Sequence, residues 1–239
     1  MPKNETFGRE SHLTGVRMQI QDLEQKSQQG GTQRVDNYHL DELKIALDPN
    51  DPRHILPPRL PQAQKVLDVG CGAGQSLIAA YPDRVSFGID IDLDALKTAK
   101  SFSSRIALAN AVAEALPFRN HQFDFVFARV ALPYTRILTA LKEIRRVLKP
   151  EGSVWLALHP FQVPWRHARH SNLKGKLWFA YIFLNSLAFH LFQRQFPLKG
   201  KQESFQTERG MRRALERCGF TGIRFARGKH FVVTAQVRK

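Results

Sequence analysis

The sequence predicts an α/β protein built on a doubly wound, mostly parallel sheet of seven strands, and three observations support this fold class. An apolar run over 65–69 stops at Gly70, Gly72 and Gly74, which is typical of a buried strand that leaves the core through a tight turn into a helix. Short apolar runs then alternate with stretches of helical periodicity, as in parallel sheets with right-handed crossovers. Finally, two β-rich runs separated by a Gly-Lys pair predict an antiparallel hairpin at the sheet edge.

Before the sheet, the sequence predicts a disordered tail, a helix and a stiff connector. Residues 1–34 are polar and bury too little apolar surface to offset the entropy of ordering, although 16–23 could form a short helix on contact with a partner. Leucines at helical intervals predict a helix over Asn37–Leu47 that packs beside the sheet and could close over a ligand. Prolines concentrated between 49 and 61 predict an extended connector. We therefore expect a tail, 1–34, and a single domain, 35–239.

The elements of the sheet follow from the same apolar runs and periodicities. We predict strands at Lys65–Val69, Val85–Ile89, Ile106–Ala109, Phe123–Ala128, Ser153–Leu158, Phe220–Arg227 and His230–Val237. Helices are predicted over Gln75–Ala80, Leu93–Ser101, Thr135–Leu148 and Thr207–Cys218. A helical insertion at about 160–203 interrupts this alternation after the fifth strand.

The insertion contains an apolar stretch, Leu177–Phe192, with lysines and arginines on both sides. Sixteen residues of helix span roughly 24 Å, less than the ~30 Å hydrocarbon core of a bilayer, so we do not expect this helix to cross a membrane. A helix that is apolar nearly all round is either buried or partly sunk in a lipid interface.

The residues around the glycines restrict which ligand the turn can bind. A phosphate-binding loop needs Lys-Ser/Thr after its last glycine, and the dinucleotide fingerprint needs a glycine where Gln75 stands. Asp68 would repel a pyrophosphate but suits an ammonium or sulfonium group. Asp90 follows the second strand at about the twenty-residue spacing at which an acid accepts hydrogen bonds from a ribose diol. The pattern predicts a nucleoside without a phosphate chain, such as S-adenosylmethionine.

Five segments in order resemble the class I S-adenosylmethionine-dependent methyltransferases of the small bacterial single-domain type, similar to the ubiquinone/menaquinone methyltransferase group. They are VLDVGCGAG at 66–74, GIDID at 88–92, AEALPF at 113–118, FDFVFA at 123–128 and LKEIRRVLKPEG at 141–152. The resemblance implies a Rossmann-like fold, methyltransferase activity and S-adenosyl-L-methionine as methyl donor. The residues it implies as cofactor-binding are Asp68, Gly70, Cys71, Gly72, Gly74, Asp90, Ile91, Ala113, Glu114 and Arg129. Val112 stands where the family usually has Asp, so Asn110 or a backbone group would contact the adenine instead.

Candidate catalytic residues lie where a substrate would meet the methyl donor. Methyl transfer from a sulfonium is an in-line displacement that mainly needs a positioned nucleophile and, for some acceptors, a base. His159 directly follows the fifth strand and Tyr134 lies in the loop after the fourth, so we predict these two as catalytic. Alternatively, His159 is an ordinary loop residue before Pro160, and Tyr134 only lines the site. His167 and His170 in the insertion are further candidates. The Asn-Pro-Pro-Tyr signature of amino-methylating enzymes is absent after the fourth strand.

Charge is concentrated in the last third of the chain. The net charge is +15, and residues 159–239 carry 16 Lys and Arg against 3 Asp and Glu, whereas residues 1–158 carry 20 against 18. We expect this basic segment, 159–239, to face an anionic partner; alternatively, its excess positive charge only aids solubility. We expect a small-molecule or lipid-like acceptor and an anionic membrane surface as partners. The alternatives are an RNA methyltransferase that uses the basic third and a non-catalytic S-adenosylmethionine-binding protein.

The cysteines and the N-terminus bear on location. Cys71 and Cys218 have no spacing typical of a metal site or a disulfide framework, so we expect no metal and a reducing compartment. The N-terminus lacks the apolar segment of a secretory signal. We therefore expect a cytoplasmic protein, free or at the inner face of the membrane.

Overall fold

The computed structural model describes residues 13–22, 37–159, 165, 171–198, 200–228 and 230–238. Within them the chain forms two compact units, 1–111 and 112–239. The first unit contains α1 (13–22), α2 (Asn37–Leu47), β1 (Val66–Val69), α3 (Gln75–Ala80), β2 (Ser86–Asp90), α4 (Leu93–Phe102) and β3 (Ile106–Asn110). In this unit β2 pairs in parallel with both β1 and β3.

The second unit continues the alternation and ends in a hairpin. It contains β4 (Phe123–Arg129), a 3₁₀ turn (Leu132–Tyr134), α5 (Ile137–Val147), β5 (Leu148–Leu158), α6 (Leu173–Phe192), α7 (Glu208–Arg217), β6 (Phe220–Arg227) and β7 (Phe231–Val237). β4 and β5 are parallel, whereas β7 runs antiparallel to both β5 and β6. The seven strands follow the order β3-β2-β1-β4-β5-β7-β6, so the predicted Rossmann-like, mostly parallel sheet with an antiparallel edge hairpin is confirmed.

The described part of the tail, 13–22, is a helix, where the sequence predicted a mostly disordered segment in which 16–23 could become helical on contact with a partner. Val16 and Ile20, one helical turn apart, are each 3% exposed, so α1 buries an apolar stripe within its own chain. Polar side chains hold it as well, because Arg17 donates to the carbonyl of Leu47 and Gln19 to that of Ser101. The remainder of the predicted tail lies outside the described residues.

β5 starts five residues before its predicted first residue, Ser153. α5 ends at Val147, and Leu148 already pairs with Phe123 of β4 across an irregular register. Glu151 in this stretch has φ 63°, and a Cβ on Gly152 would lie 2.9 Å from the carbonyl oxygen of Lys149. Pro150 and Gly152, which are typical of a loop after a helix, thus lie within a bulged strand.

Candidate functional site

The candidate cofactor site of the first unit is built on the turn after β1. β1 is buried along its whole length, and the chain leaves it through Gly70, Gly72 and Gly74, whose φ angles are 78°, 52° and 73°. Glycine adopts these left-handed values without a steric penalty. The N–H groups of Gly70 and Cys71 both donate to the carbonyl of Ile89 at 2.9 Å. The turn is therefore fastened to the end of β2 and presents backbone rather than side chains.

Asp90 ends β2, and its carboxylate is bonded to the glycine turn. Oδ2 accepts from the N–H of Gly72 at 2.7 Å, and Oδ1 accepts from the N–H of Asp92 at 2.9 Å. A carboxylate oxygen can accept more than one hydrogen bond, so each oxygen retains capacity for a further donor. Two adjacent ribose hydroxyls are such donors, and this geometry fits the contact that the sequence predicts.

Cys71 is a packing residue of the turn. Its Sγ lies so close to β2 that a Cβ on Gly88 would be 2.7 Å away. Burial raises the pKa of the Cys71 thiol well above its usual value, and the negative charges of Asp68 and Asp90 raise it further. The thiol therefore stays protonated at neutral pH and is not a nucleophile.

Two buried polar side chains at the turn were not among the residues predicted from sequence. They are His39 of α2 and Gln75, the first residue of α3, with exposed fractions of 9% and 7%. A Cβ on Gly72 would lie 3.0 Å from Gln75 Nε2 and 3.4 Å from His39 Nδ1, so both side chains line the space beside this glycine. His39 Nε2 lies 3.5 Å from a carboxylate oxygen of Asp92. By contrast, His39 Nδ1 and Gln75 Oε1 have no hydrogen-bond partner within the described residues.

These two side chains, together with Asp90, fit S-adenosylmethionine. A buried polar atom without a partner costs roughly 1–3 kcal/mol, so His39 Nδ1 and Gln75 Oε1 indicate that a ligand supplies the missing bonds. With Nε2 donating to Asp92, His39 Nδ1 can accept from the ammonium group of the methionine part, and Gln75 Oε1 can accept from the same group. Asp90 would accept from the ribose.

Ile91 and Asn110 lie beside Asp90, the acid predicted to bind the ribose. The side chain of Ile91 is 74% exposed, so it offers an apolar face next to Asp90 that a flat base could cover. Asn110 Nδ2 donates to the carbonyls of Asp90 and Ile91, both at 3.0 Å. The amide nitrogen of Asn110 thus holds the backbone of this corner, and its contact with adenine stays a prediction.

In the second unit, the predicted adenine-side loop contains Ala113 and Glu114. Ala113 is buried, whereas Val112 is 45% exposed. Glu114 Oε1 accepts from the N–H of Arg136, the residue before α5, at 2.8 Å. Carboxylates stabilise helix N-termini, so Glu114 caps α5, and its contact with the cofactor stays a prediction.

An ion pair on α5 anchors the same loop, and sequence reasoning missed it. Arg146 donates through Nε and Nη2 to the two carboxylate oxygens of Glu143, both at 2.8 Å. Glu143 Oε2 also accepts from the N–H of Leu116 at 2.9 Å, and Arg146 donates to the carbonyls of Leu116 and Phe118. These bonds lower the pKa of Glu143, chiefly through Arg146.

Replacing this glutamate, Glu143→Gln, should remove a pH-dependent part of the stability. Because the pKa of Glu143 in the folded state lies below its ordinary value of 4.5, its contribution is fully present above that pH and is lost as the pH falls through the lowered pKa. The unfolding free energies of wild type and variant, measured by urea denaturation, should therefore differ at neutral pH and converge in acid. Glu216→Gln, on the exposed surface of α7, is the control, and a pH-independent difference would contradict the prediction.

The predicted catalytic pair lies at the carboxyl ends of β4 and β5. The rings of Tyr134 and His159 meet edge to face with centroids 5.7 Å apart, and Tyr134 is 51% exposed. The carbonyl of His159 accepts from the N–H of Gln206 at 2.9 Å, and the carbonyl of Pro133 accepts from the N–H of Ser204 at 3.0 Å. The segment 204–206 therefore ties the loop after β4 to the end of β5.

Arg129, predicted to bind the cofactor, ends β4 immediately before a strained residue. Val130 has φ 62°, which a β-branched side chain rarely adopts, and its N–H donates to the carbonyl of Ala157 at 3.0 Å. Strain of this kind costs about 1–3 kcal/mol and concentrates at functional sites. His167 and His170 lie outside the described residues.

Comparisons with known proteins find similarity to methyltransferases. A family model described as a methyltransferase domain matches residues 67–156. An uncharacterized methyltransferase of Synechocystis is 30% identical over 184 residues, which are 74% of this chain and 77% of that protein. Demethylmenaquinone methyltransferase of Staphylococcus aureus is 37% identical over 98 residues, 38% of this chain and 41% of that protein. Malonyl-[acyl-carrier protein] O-methyltransferase of Halorhodospira halophila is 30% identical over 115 residues, 43% of this chain and 39% of that protein.

The lengths of the matches and one solved structure complete the comparison. The chain spans only 40–44% of the length of several other curated relatives. A solved S-adenosylmethionine-dependent methyltransferase from Methanosarcina mazei superposes with a TM-score of 0.53 at 22% identity, over 75% of this chain and 95% of that one. At this identity the superposition supports the fold.

Proposed function

We propose, from the premise that this chain belongs to the class I S-adenosylmethionine-dependent methyltransferases, that it transfers a methyl group to a small, lipid-like acceptor. When bound, S-adenosylmethionine supplies an electrophilic methyl group on a sulfonium. The glycine turn with Asp90, His39 and Gln75 would hold it. The residues that contact the methyl acceptor must therefore be other residues of the chain.

The observation that carries the acceptor class is a pair of aromatic rings, Phe183 and Phe205, next to the segment that is bonded to the ends of β4 and β5. The segment 204–206, bonded to Pro133 and His159, also contacts α6, because the N–H of Phe205 donates to Ser186 Oγ at 2.9 Å. The Phe205 ring lies 6.3 Å from that of Phe183 on α6. An acceptor placed at Tyr134 and His159 therefore lies close to apolar surface, which favours an apolar molecule over a highly charged one.

Two relatives support the same class. One is named as a methyltransferase of demethylmenaquinone and the other of malonyl-[acyl-carrier protein]. Each resembles this chain over less than half of its own length, so the likeness supports a class of acceptor rather than a particular molecule.

His159 is the proposed base for an acceptor hydroxyl. The new bond joins the acceptor oxygen to the methyl carbon, the bond from that carbon to sulfur breaks, and the proton of the hydroxyl passes to the imidazole of His159. Tyr134, edge-on to this ring, would keep the imidazole oriented. Base catalysis of this kind contributes about 10²–10⁴-fold to the rate.

The test incubates the protein with methyl-labelled S-adenosylmethionine and three separate acceptor pools: a lipid extract, bulk tRNA and a water-soluble metabolite extract. We expect label in the lipid extract. With the labelled lipid as substrate, His159→Gln should lower kcat by about 100-fold or more while the Kd for the cofactor stays unchanged. His121→Gln, at an exposed position in the turn before β4, is the matched control.

Other outcomes would overturn parts of the proposal. Label that appears in tRNA would make the chain an RNA methyltransferase. Tight cofactor binding without label in any pool would favour a non-catalytic binding protein. A kcat unchanged in His159→Gln would remove the base from the mechanism but leave the acceptor class intact.

A further inference from the structure

The helix α6 buries two polar side chains and exposes its leucines. Asn185 and Ser186 are each 3% exposed, whereas Leu177 and Leu184 are each 63% exposed. A surface helix of a soluble protein normally buries its apolar residues and exposes its polar ones. In α6, Asn185 and Ser186 face the protein beside the buried Ile182 and Phe189, and the leucines face outward.

Hydrogen bonds fix this orientation. Asn185 Nδ2 donates to the carbonyl of Glu203 at 2.9 Å, and its Oδ1 accepts from the N–H of Phe196 at 2.8 Å. His190 Nδ1 lies 2.6 Å from the hydroxyl of Thr207, and Ser186 Oγ accepts from the N–H of Phe205. Turning the helix to bury its leucines would break all of these bonds and leave buried polar groups unpaired. The outward apolar face is therefore a stable property of the fold.

The outward residues form one continuous stripe along the helix. They recur at alternating spacings of four and three, so they lie on one side of α6. The stripe comprises Leu173, Leu177, Ala180, Leu184, Leu187 and Leu191, and the large apolar side chains Phe183 and Phe192 are also exposed. Large exposed apolar patches of this kind mark interaction surfaces.

The charged side chains of α6 itself are all basic, and the acid beside the helix, Glu203, accepts from Trp178 Nε1 at 2.8 Å. α6 itself carries Lys174 and Lys176 in its first turn and no acidic residue. Arg213 donates to the carbonyls of His190 and Leu191 at the other end, both at 3.2 Å, and Arg194, just beyond that end, is exposed. Both ends of the stripe are thus cationic.

We propose that α6 lies in the plane of an anionic membrane, with its leucine stripe in the acyl boundary and its basic ends among the headgroups. Basic flanks and an apolar face are the features of interfacial helices. A second copy of the chain fits less well, because two such helices would bring together stripes flanked by like charges, and α6 itself carries no acid to pair with them. Within the described residues, no helix is both long and apolar enough to span a bilayer.

This surface goes beyond the proposed methyl transfer and does not depend on it. A membrane-bound α6 would place Tyr134 and His159 in a unit that is attached to the lipid, whichever acceptor they serve. Membrane binding and cofactor binding can therefore be measured separately, and either can fail without the other.

The test measures flotation of the full-length protein with phosphatidylcholine vesicles that either contain or lack phosphatidylserine. We expect binding to the acidic vesicles that weakens with salt. The triple variant Leu177→Ser, Leu184→Ser, Leu191→Ser should lower the partition coefficient on the order of 100-fold, because three apolar side chains no longer enter the lipid. Lys174→Gln with Lys176→Gln should lower it as well, by about fivefold for each lysine.

The matched control replaces exposed apolar residues outside the stripe. Met18 and Val85 are 66% and 60% exposed, and the double variant Met18→Ser, Val85→Ser should bind vesicles like the wild type. Far-UV circular dichroism and calorimetry with S-adenosylmethionine show whether each variant is folded. A wild type that does not float with acidic vesicles, or a folded triple variant that floats as well as the wild type, would overturn the proposal. If the wild type forms a dimer and does not bind vesicles, and the triple variant is a monomer, the stripe is instead an interface between two copies of the chain.

Discussion

Replacing Asp90 by alanine should weaken the binding of S-adenosylmethionine by about 100-fold or more. The carboxylate accepts from the N–H of Gly72 and, in the proposed site, would also accept from both ribose hydroxyls, and a hydrogen bond to a charged group is worth about 1.5–3 kcal/mol. Losing two such bonds corresponds to about 3 kcal/mol or more, which is over two decades in Kd. Isothermal titration calorimetry with the wild type and the variant measures this change directly.

The matched control for this substitution is Asp94→Ala. Asp94 is an exposed acid in the first turn of α4 and is paired with Lys97, so its loss should leave the Kd unchanged. Asp90→Asn, which retains one acceptor oxygen, should fall between the wild type and Asp90→Ala. An Asp90→Ala variant that is folded and binds the cofactor like the wild type would remove the central contact of the proposed site.

Introducing a methyl group at Gly74 should lower the free energy of unfolding by about 3 kcal/mol. Gly74 has φ 73°, and a Cβ there would lie 3.1 Å from Ile106 Cδ1 and 3.3 Å from Ala99 Cβ. The left-handed backbone costs an L-residue about 1–2 kcal/mol, and overpacking a core adds about 1–3 kcal/mol. Chemical denaturation of Gly74→Ala measures the sum of the two effects.

Gly200→Ala separates the two contributions. Gly200 has the same φ of 73°, but a Cβ there would meet nothing within 4 Å. This variant should therefore lose only about 1 kcal/mol, from the backbone strain. If Gly74→Ala lost no more stability than Gly200→Ala, the prediction that a methyl group at Gly74 clashes with α4 and β3 would be wrong.

Several features of the fold were predictable because they depend on local patterns. The strands β1, β3 and β4 begin within one residue of their predicted starts, since each is a short apolar run bounded by a turn or a charged residue. The glycines of the turn all have positive φ, as their spacing after a buried strand indicated. Such features need no knowledge of distant residues.

Other features depended on contacts between residues far apart in the chain. His39 lies some thirty residues before the glycine turn, and only the packing of α2 brings its Nδ1 near Gly72. The role of Glu114 as a cap of α5 was equally hidden, because a carboxylate in a loop can face either a ligand or a helix end. A single sequence carries no signal that distinguishes these alternatives.

By itself, the sequence determined the fold class, the glycine turn and the acid after β2, because apolar periodicity and glycine spacing act locally. The tertiary structure decided which face of α6 is exposed and which polar atoms remain for a ligand. The leucines of α6 are compatible with a buried helix or an exposed one, and only the bonds from Asn185, Ser186 and His190 to residues 196–207 choose between them. Those bonds join residues up to nineteen positions apart, and their geometry exists only in the folded chain.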